Sequence, residues 1–339
     1  MALLISDTVT KPTPGMLEAM TNAEVGDDVF GRDPTVNALQ EKAAALFGME
    51  ASLFCASGTM TNQIAINLHT RPGEEVICHQ YAHIHLYEGG GIALNSGAST
   101  KLVGEPGGQM TASDVKAAIN PDDVHQPRSA LVAMENTSNK GGGSCADFTE
   151  LEAIGQIARD HNMGYHLDGA RLFNALVARN ETPLQYGRLF DSISICLSKG
   201  LGCPVGSLLL GSKEFIREAR RVRKRFGGGW RQAGFLAAAG IYALDHHVAR
   251  MADDHRRAKA LGDHLANQPY IAHVNPVETN IVIFRLADNV DAQVFTSALM
   301  KDDIAITDMG SGLLRMVTHL DITDHDIDET CSALSKLNL

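Results

Sequence analysis

The stretch SISICLSKGLGCPVGS, residues 192–207, sets a lysine at the mouth of a buried strand. Its first seven residues carry apolar side chains at 193, 195, 196 and 197, a run too short for a helix and dense enough for a strand covered on both faces. Lys199 follows at once, and Gly200, Gly202 and Pro204 then force a sharp turn. Placing a cation where an apolar strand meets a turn is unfavourable unless the cation has work there or escapes to water.

Working outward, short apolar runs recur at SLF, EVIC, SALVAM, GYHLD, SISICLS and GSLLLG, with helical stretches such as MTNQIAINLH and TELEAIGQIARDH between them. Strands alternating with helices predict an α/β protein with a mostly parallel sheet flanked by helices. One helix is legible to its ends in DPTVNALQEKAAALFG. Asp33 caps it, Pro34 fits its first turn, Val36, Leu39, Ala43 and Leu46 share a face, and Gly48 closes it. After residue 245 the pattern changes to TNIVIFRL, IAITD and LLRMVT, with helices between and after them. We therefore expect a large domain over 1–245 and a smaller C-terminal α+β domain over 246–339.

The totals exclude several functions. A net charge of −11 argues against a nucleic-acid partner, which needs a basic face. The basic run REARRVRKRF (217–226) reads as an amphipathic helix with Phe215, Ile216, Ala219, Val222 and Phe226 on its apolar face and its charges solvated or at a subunit contact. No apolar run is long enough to span a bilayer, and MALLISDTVT lacks the basic flank of a signal peptide. The six cysteines show no C-x-x-C, so free thiols in a cytoplasmic setting are expected. HQYAHIH (79–85) has histidine spacing suited to a metal but no acidic or cysteine partner pattern, and no metal is expected.

Three strand-end features belong together, because open α/β sheets bind ligands beyond the carboxyl ends of their strands. In FCASGTMTNQ a strand runs through Ser57, Gly58 and Thr59 into a helix start, which aims free amides at an anion. In GYHLDGAR a strand ends on Asp168, with Arg171 three residues on. Lys199 ends the next strand. An anion cradle, a buried carboxylate and a desolvated lysine are what pyridoxal 5′-phosphate (PLP) requires. The lysine is its covalent anchor, the carboxylate keeps its pyridine nitrogen protonated, and the helix start holds its phosphate.

The strings SDTVTKPTPGM, GDDVFGRDPTV, SGTMTNQIA, HLDGARLFNA, LSKGLGCPVGS and GGGWRQAG, in order from Ser6 to LLRMVTHLD at 313–321, resemble the PLP-dependent L-threonine aldolases over nearly the whole chain. The resemblance implies the fold-type-I architecture of PLP-dependent transferases and a homo-oligomer, a dimer or tetramer with active sites shared between subunits. It implies reversible cleavage of L-threonine, L-allo-threonine and other β-hydroxy-α-amino acids to glycine and an aldehyde. By the same resemblance Lys199 anchors the cofactor, Asp168 partners the pyridine nitrogen, and Ser57, Gly58 and Thr59 form the phosphate cradle. His83 stacks on the cofactor face. Arg171 and Arg315, with Ser6, grip the substrate carboxylate, while Lys224 and Arg231 approach the phosphate from a neighbouring subunit. A base must take the β-hydroxyl proton, either a histidine or an ordered water, and His85 and His125 are the candidate histidines. Three features depart from the family pattern, Ile5 for an arginine, Ser138 for a histidine and the segment DDVHQPRSALVAMENT around His125, and they bear on stereochemical and aldehyde preference. The alternatives are another fold-type-I PLP enzyme, a β-eliminating lyase or an aminotransferase, and a PLP carrier without turnover.

Overall fold

Every residue of the strand Ser192–Cys196 is buried in the computed structural model, which describes residues 1–105 and 107–337. We number the strands β1 Ala2–Leu3, β2 Ala51–Cys55, β3 Glu75–His79, β4 Ser99–Val103, β5 Ser129–Glu135, β6 Gly164–Asp168 and β7 Ser192–Cys196. Beyond these come β8 Ser207–Gly211, β9 Ile271–Val274, β10 Ile281–Leu286, β11 Ile304–Ala305, β12 Thr307–Asp308 and β13 Leu313–Val317. The main sheet has the order β2-β8-β7-β6-β5-β3-β4. All its strands run parallel except β8, which is antiparallel to both neighbours.

Burial on both faces explains why the inner strands read as unbroken apolar runs. At the edge, β4 (STKLV) is half exposed and carries no such run, so the sequence patterns pass over it. The helix Pro34–Phe47 has the expected ends. Asp33 Oδ1 accepts from Val36 N at 2.9 Å, and Gly48 takes φ +62°. One expectation for this helix fails. Leu46 is 37% exposed and Phe47 is fully buried in its place. At 100° per residue, position 47 returns to within about 20° of Val36, whereas position 46 stands about 80° away.

A second sheet, β12-β13-β10-β9, is antiparallel and packs its own core of Leu261, Phe284, Phe295, Leu299, Leu314 and Leu334. The first residues of the chain belong to this layer. β1 pairs with β11 in parallel, and Leu4 is fully buried in the second core. From Ser6 onward the chain crosses to the carboxyl ends of the main-sheet strands. Both layers therefore frame one cleft. No described helix is long and apolar enough to cross a membrane.

Candidate active site

Lys199 sits in the loop that joins β7 to β8. Leu197 N donates to Gly206 O at 2.9 Å, Gly202 N to Lys199 O at 2.8 Å and Cys203 N to Leu197 O at 3.0 Å. Gly202 at φ +78° and Gly206 at φ +122° make that turn possible. The loop backbone is thus held without the lysine side chain, which stays available. Its charge is near enough to act on both Asp7 and His83.

Asp168 closes β6, 3% exposed. Its Oδ2 accepts from Asn62 Nδ2 at 2.8 Å and its Oδ1 from Ala170 N at 3.1 Å. Both donors are neutral. A buried carboxylate whose described hydrogen-bond partners are neutral has its charge incompletely compensated, and a protonated ring nitrogen would compensate it. Asn62 lies on the helix Gly58–His69, whose start is the predicted phosphate cradle. The amides of Gly58 and Thr59 precede the first intrahelical bond, from Thr61 N to Ser57 O. A Cβ on Gly58 would stand 2.6 Å from Cys196 Sγ, so only glycine lets this turn lie against β7. Ser57 also fixes the cradle helix, with its O–H left free to donate. Its hydroxyl caps the helix by accepting from Met60 N at 3.2 Å.

His83 begins the short helix His83–Leu86. Its Nδ1 is 2.9 Å from Glu88 Oε1, and side-chain polar atoms of His83, Glu88 and Asp168 all lie within 4.8 Å of one another. Burial lowers the imidazole's pKa, but the Glu88 hydrogen bond and the Asp168 and Glu88 charges outweigh it and raise the net value. Glu135, at the end of β5, accepts from His83 N at 2.7 Å and from Asn139 N at 2.8 Å, tying two active-site segments together. Burial and the Asp168 charge push its pKa up to about 7.

The two predicted histidine bases are not brought here. His85 follows His83 by two helical positions, about 200° around the axis, so the two rings diverge. His125 lies in the exposed loop before β5, at the amino end of the sheet, with its ring on Asp123 at 2.8 Å. Within the protomer His83 alone of the three predicted histidines joins Asp168.

The two arginines also divide their roles. Arg171 is 6% exposed and spends its fork on Asp7, with Nε–Oδ2 and Nη2–Oδ1 both 2.7 Å. Burial would raise the Asp7 pKa, yet the Arg171 charge and hydrogen bonds hold it at about 2. A guanidinium so paired has three N–H bonds left, and its Nη1 lies 3.3 Å from Asn139 Oδ1. Arg315 donates to Asn139 Oδ1 at 3.0 Å and to Ile5 O at 3.2 Å, and its buried Nε has no partner among the described residues. Burial and the nearby Arg171 charge lower its pKa, the mark of a cation still lacking an anion. Arg315 lines a cleft of about 410 Å³ with His83, Tyr87, Asn139 and Met309. Ser6 adjoins it and accepts from Thr8 N and Thr8 Oγ1, which leaves the Ser6 hydroxyl free to donate.

Lys224 lies in a separate basic cleft of about 360 Å³ with Arg220, Arg221 and Arg223, and Arg231 pairs with Asp27 at 2.9 Å. The turn between them packs close to the cradle helix, since a Cβ on Gly228 would meet Met60 Sδ at 2.7 Å. Of the family departures, Ile5 contributes its carbonyl to Arg315, a contact any side chain permits. Ser138 is buried and accepts from Gly141 N at 3.1 Å within its own turn. Asp7, Asn62, Glu88, Glu135 and Asn139 are the site residues that sequence reasoning did not single out.

Comparison with known proteins places the chain among relatives. Residues 4–289 match the beta-eliminating lyase family. The chain is 42% identical to the low specificity L-threonine aldolase of Escherichia coli K12, covering 97% of each chain. It is 41% identical to low-specificity L-threonine aldolase 1 of Arabidopsis thaliana, covering 99% of this chain and 96% of that one. In fold it is similar to a threonine aldolase of Leishmania major, with TM-score 0.85, 23% identity and 99% of each chain covered.

Proposed function

Because the chain belongs to the beta-eliminating lyase family, we propose that it is a PLP-dependent aldehyde-lyase that splits L-threonine and related β-hydroxy-α-amino acids into glycine and an aldehyde. What supports the reading is the meeting of Lys199, of Asp168 with its neutral partners, and of Arg315 with an unsatisfied donor at one end of the main sheet. These residues fit the cofactor. Gly58 and Thr59 would hold its phosphate, Asp168 its pyridine nitrogen and Lys199 its carbonyl carbon. Bound there, the cofactor supplies an electron sink for the pair left on the substrate's α-carbon.

The protein's own groups do the rest. Arg315, which lines the cleft, would hold the substrate carboxylate with its guanidinium, and Ser6 can add a hydroxyl donor. Holding the carboxylate fixes the torsion about the α-carbon, which selects the bond that breaks. His83 presents Nε2 to the cleft, where it accepts the β-hydroxyl proton as the C–O bond becomes a carbonyl. Lys224 and Arg231 would complete the phosphate site from a neighbouring copy in a homo-oligomer. Five buried, unpaired cysteines suit a reducing cytoplasm.

Incubation with L-threonine or L-allo-threonine should give glycine and acetaldehyde in equal amounts. 2-Oxobutyrate or an amino-group transfer product in their place would assign the chain to another PLP reaction. Arg315→Ala should raise KM for threonine by roughly 10²-fold with a smaller change in kcat, because it removes charge-assisted bonds made to the bound substrate. Steady-state kinetics checks this, and an unchanged KM would remove Arg315 from the carboxylate site.

A further inference from the structure

Glu88 is buried with both its oxygens engaged. Asn62 Nδ2 donates to Oε1 at 2.9 Å and Gln63 Nε2 to Oε2 at 2.6 Å, with His83 Nδ1 at 2.9 Å from Oε1. Neither amide is free to turn over. Asn62 Nδ2 also bonds Asp168 Oδ2, while Asn62 Oδ1 lies 3.1 Å from His166 Nε2. Asn95 Nδ2 donates to Gln63 Oε1 at 3.2 Å. Gly91 leaves room for Gln63, since a Cβ there would come within 2.5 Å of the amide carbon. Two fixed N–H donors on one carboxyl group favour its ionised form, which only accepts. The remaining neighbour, His83 Nδ1, is then the donor.

We propose that Glu88 is a positioning residue that fixes His83 with a proton on Nδ1, leaving Nε2 as the nitrogen turned to the substrate's β-hydroxyl. The inference rests on the aldehyde-lyase reading and adds to it the group that orients its base. The arrangement is a carboxylate–imidazole pair in which the carboxylate selects the tautomer. It also explains why an acid is built so near Asp168. Asn62 gives one N–H to each carboxylate and so holds the two apart in function, Asp168 for the cofactor and Glu88 for the histidine.

The charged and titratable groups facing His83 are Glu88 on its own segment, Tyr87 at 5.5 Å between ring centroids, and Glu135 at the end of β5. Asp168 faces it from β6, Lys199 from the loop after β7, and Arg315, Lys140 and Asp308 across the cleft. Glu88→Gln leaves all the others in place. It removes the anion that raises the His83 pKa, so the acid limb of kcat/KM, set by protonation of Nε2, should move to lower pH by about one unit. kcat/KM at its plateau should fall roughly 10- to 100-fold, with KM for threonine little changed. A purely structural Glu88 would lower stability and leave the limb where it is.

The wild-type holoenzyme gives a second readout that needs neither turnover nor the variant. In protein labelled with 15N in its histidine rings, and with the His83 signals assigned by their loss in His83→Asn, the neutral ring should show protonated Nδ1 and bare Nε2. Protonated Nε2 with bare Nδ1, or a wild-type acid limb in Glu88→Gln, would overturn the proposal. Absence of glycine and acetaldehyde from the wild type would instead defeat the aldehyde-lyase reading and leave the tautomer result standing.

Discussion

Lys199→Ala should fold, lose covalent cofactor attachment and lose retro-aldol turnover by roughly 10⁴-fold or more, the scale on which enzymes lose rate with their nucleophile. Folding should survive because nothing in the β7–β8 turn depends on the side chain. The bonds from Leu197 N, Gly202 N and Cys203 N, and from Thr10 Oγ1 to Lys199 O, are all made to backbone oxygens. Charge and nucleophilicity can be separated by Lys199→Arg, which keeps a cation near Asp7 and His83 but cannot form the covalent link. It should be as inactive as the alanine variant. Borohydride reduction of wild type followed by peptide mass mapping should place the label on residue 199. A label elsewhere, or wild-type turnover in Lys199→Ala, would remove the lysine from the centre of the reaction.

The inner strands were readable because a strand covered on both faces must be apolar throughout, as β5, β7 and β8 are. β4 and β9 were passed over because Ser99–Val103 and Ile271–Val274 lie where exposure relaxes that requirement. The site followed the same rule. Asp168 and Lys199 stood out because polar residues at the ends of apolar runs are expensive. Asn62, Gln63 and Glu88 did not, since amides and acids within a helix or turn resemble an ordinary solvated face until the packing is known. Arg223 is the clearest case. Expected with the rest of its basic run in water or at a subunit contact, it is 2% exposed, donating to Phe54 O and Asp28 Oδ2 at 2.6 Å each. It thereby ties the GDDVF segment to the end of β2. The pairing of Arg171 with Asp7 joins residues 164 apart in the chain and had no local signal. The divergence of His83 from His85 did have one, because HIHL preceding three glycines can form a helical turn, and two steps of that turn separate the rings.

Asp168→Asn is the second large effect, and its geometry makes it more informative than a truncation. The substitution keeps shape and removes charge. Both oxygens of Asp168 accept hydrogen bonds, from Asn62 Nδ2 and Ala170 N, so an asparagine must turn its own N–H₂ toward one of these donors. Asn62 cannot easily reverse to relieve this, because its oxygen faces His166 Nε2 and its nitrogen also serves Glu88. Charging His166 would not help, since an imidazolium carries N–H on both nitrogens and could not accept from a reversed Asn62, and burial holds its pKa down at about 3. The variant should therefore lose the anion that holds the cofactor's ring nitrogen protonated, and bear a mismatched donor besides. We expect kcat to fall by roughly 10³-fold, the loss typical of removing one preorganised electrostatic group. KM for threonine should change far less, because Arg315 and Ser6 lie elsewhere in the cleft. Glu135 supplies an internal control for the charge. The Asp168 carboxylate is one of the two causes that raise its pKa, so with a neutral residue at 168 Glu135 should ionise at lower pH. A variant that keeps kcat within tenfold of wild type while Glu135 titrates at lower pH would show that the charge was removed and was not needed, and Asp168 would then have to be given a purely structural role.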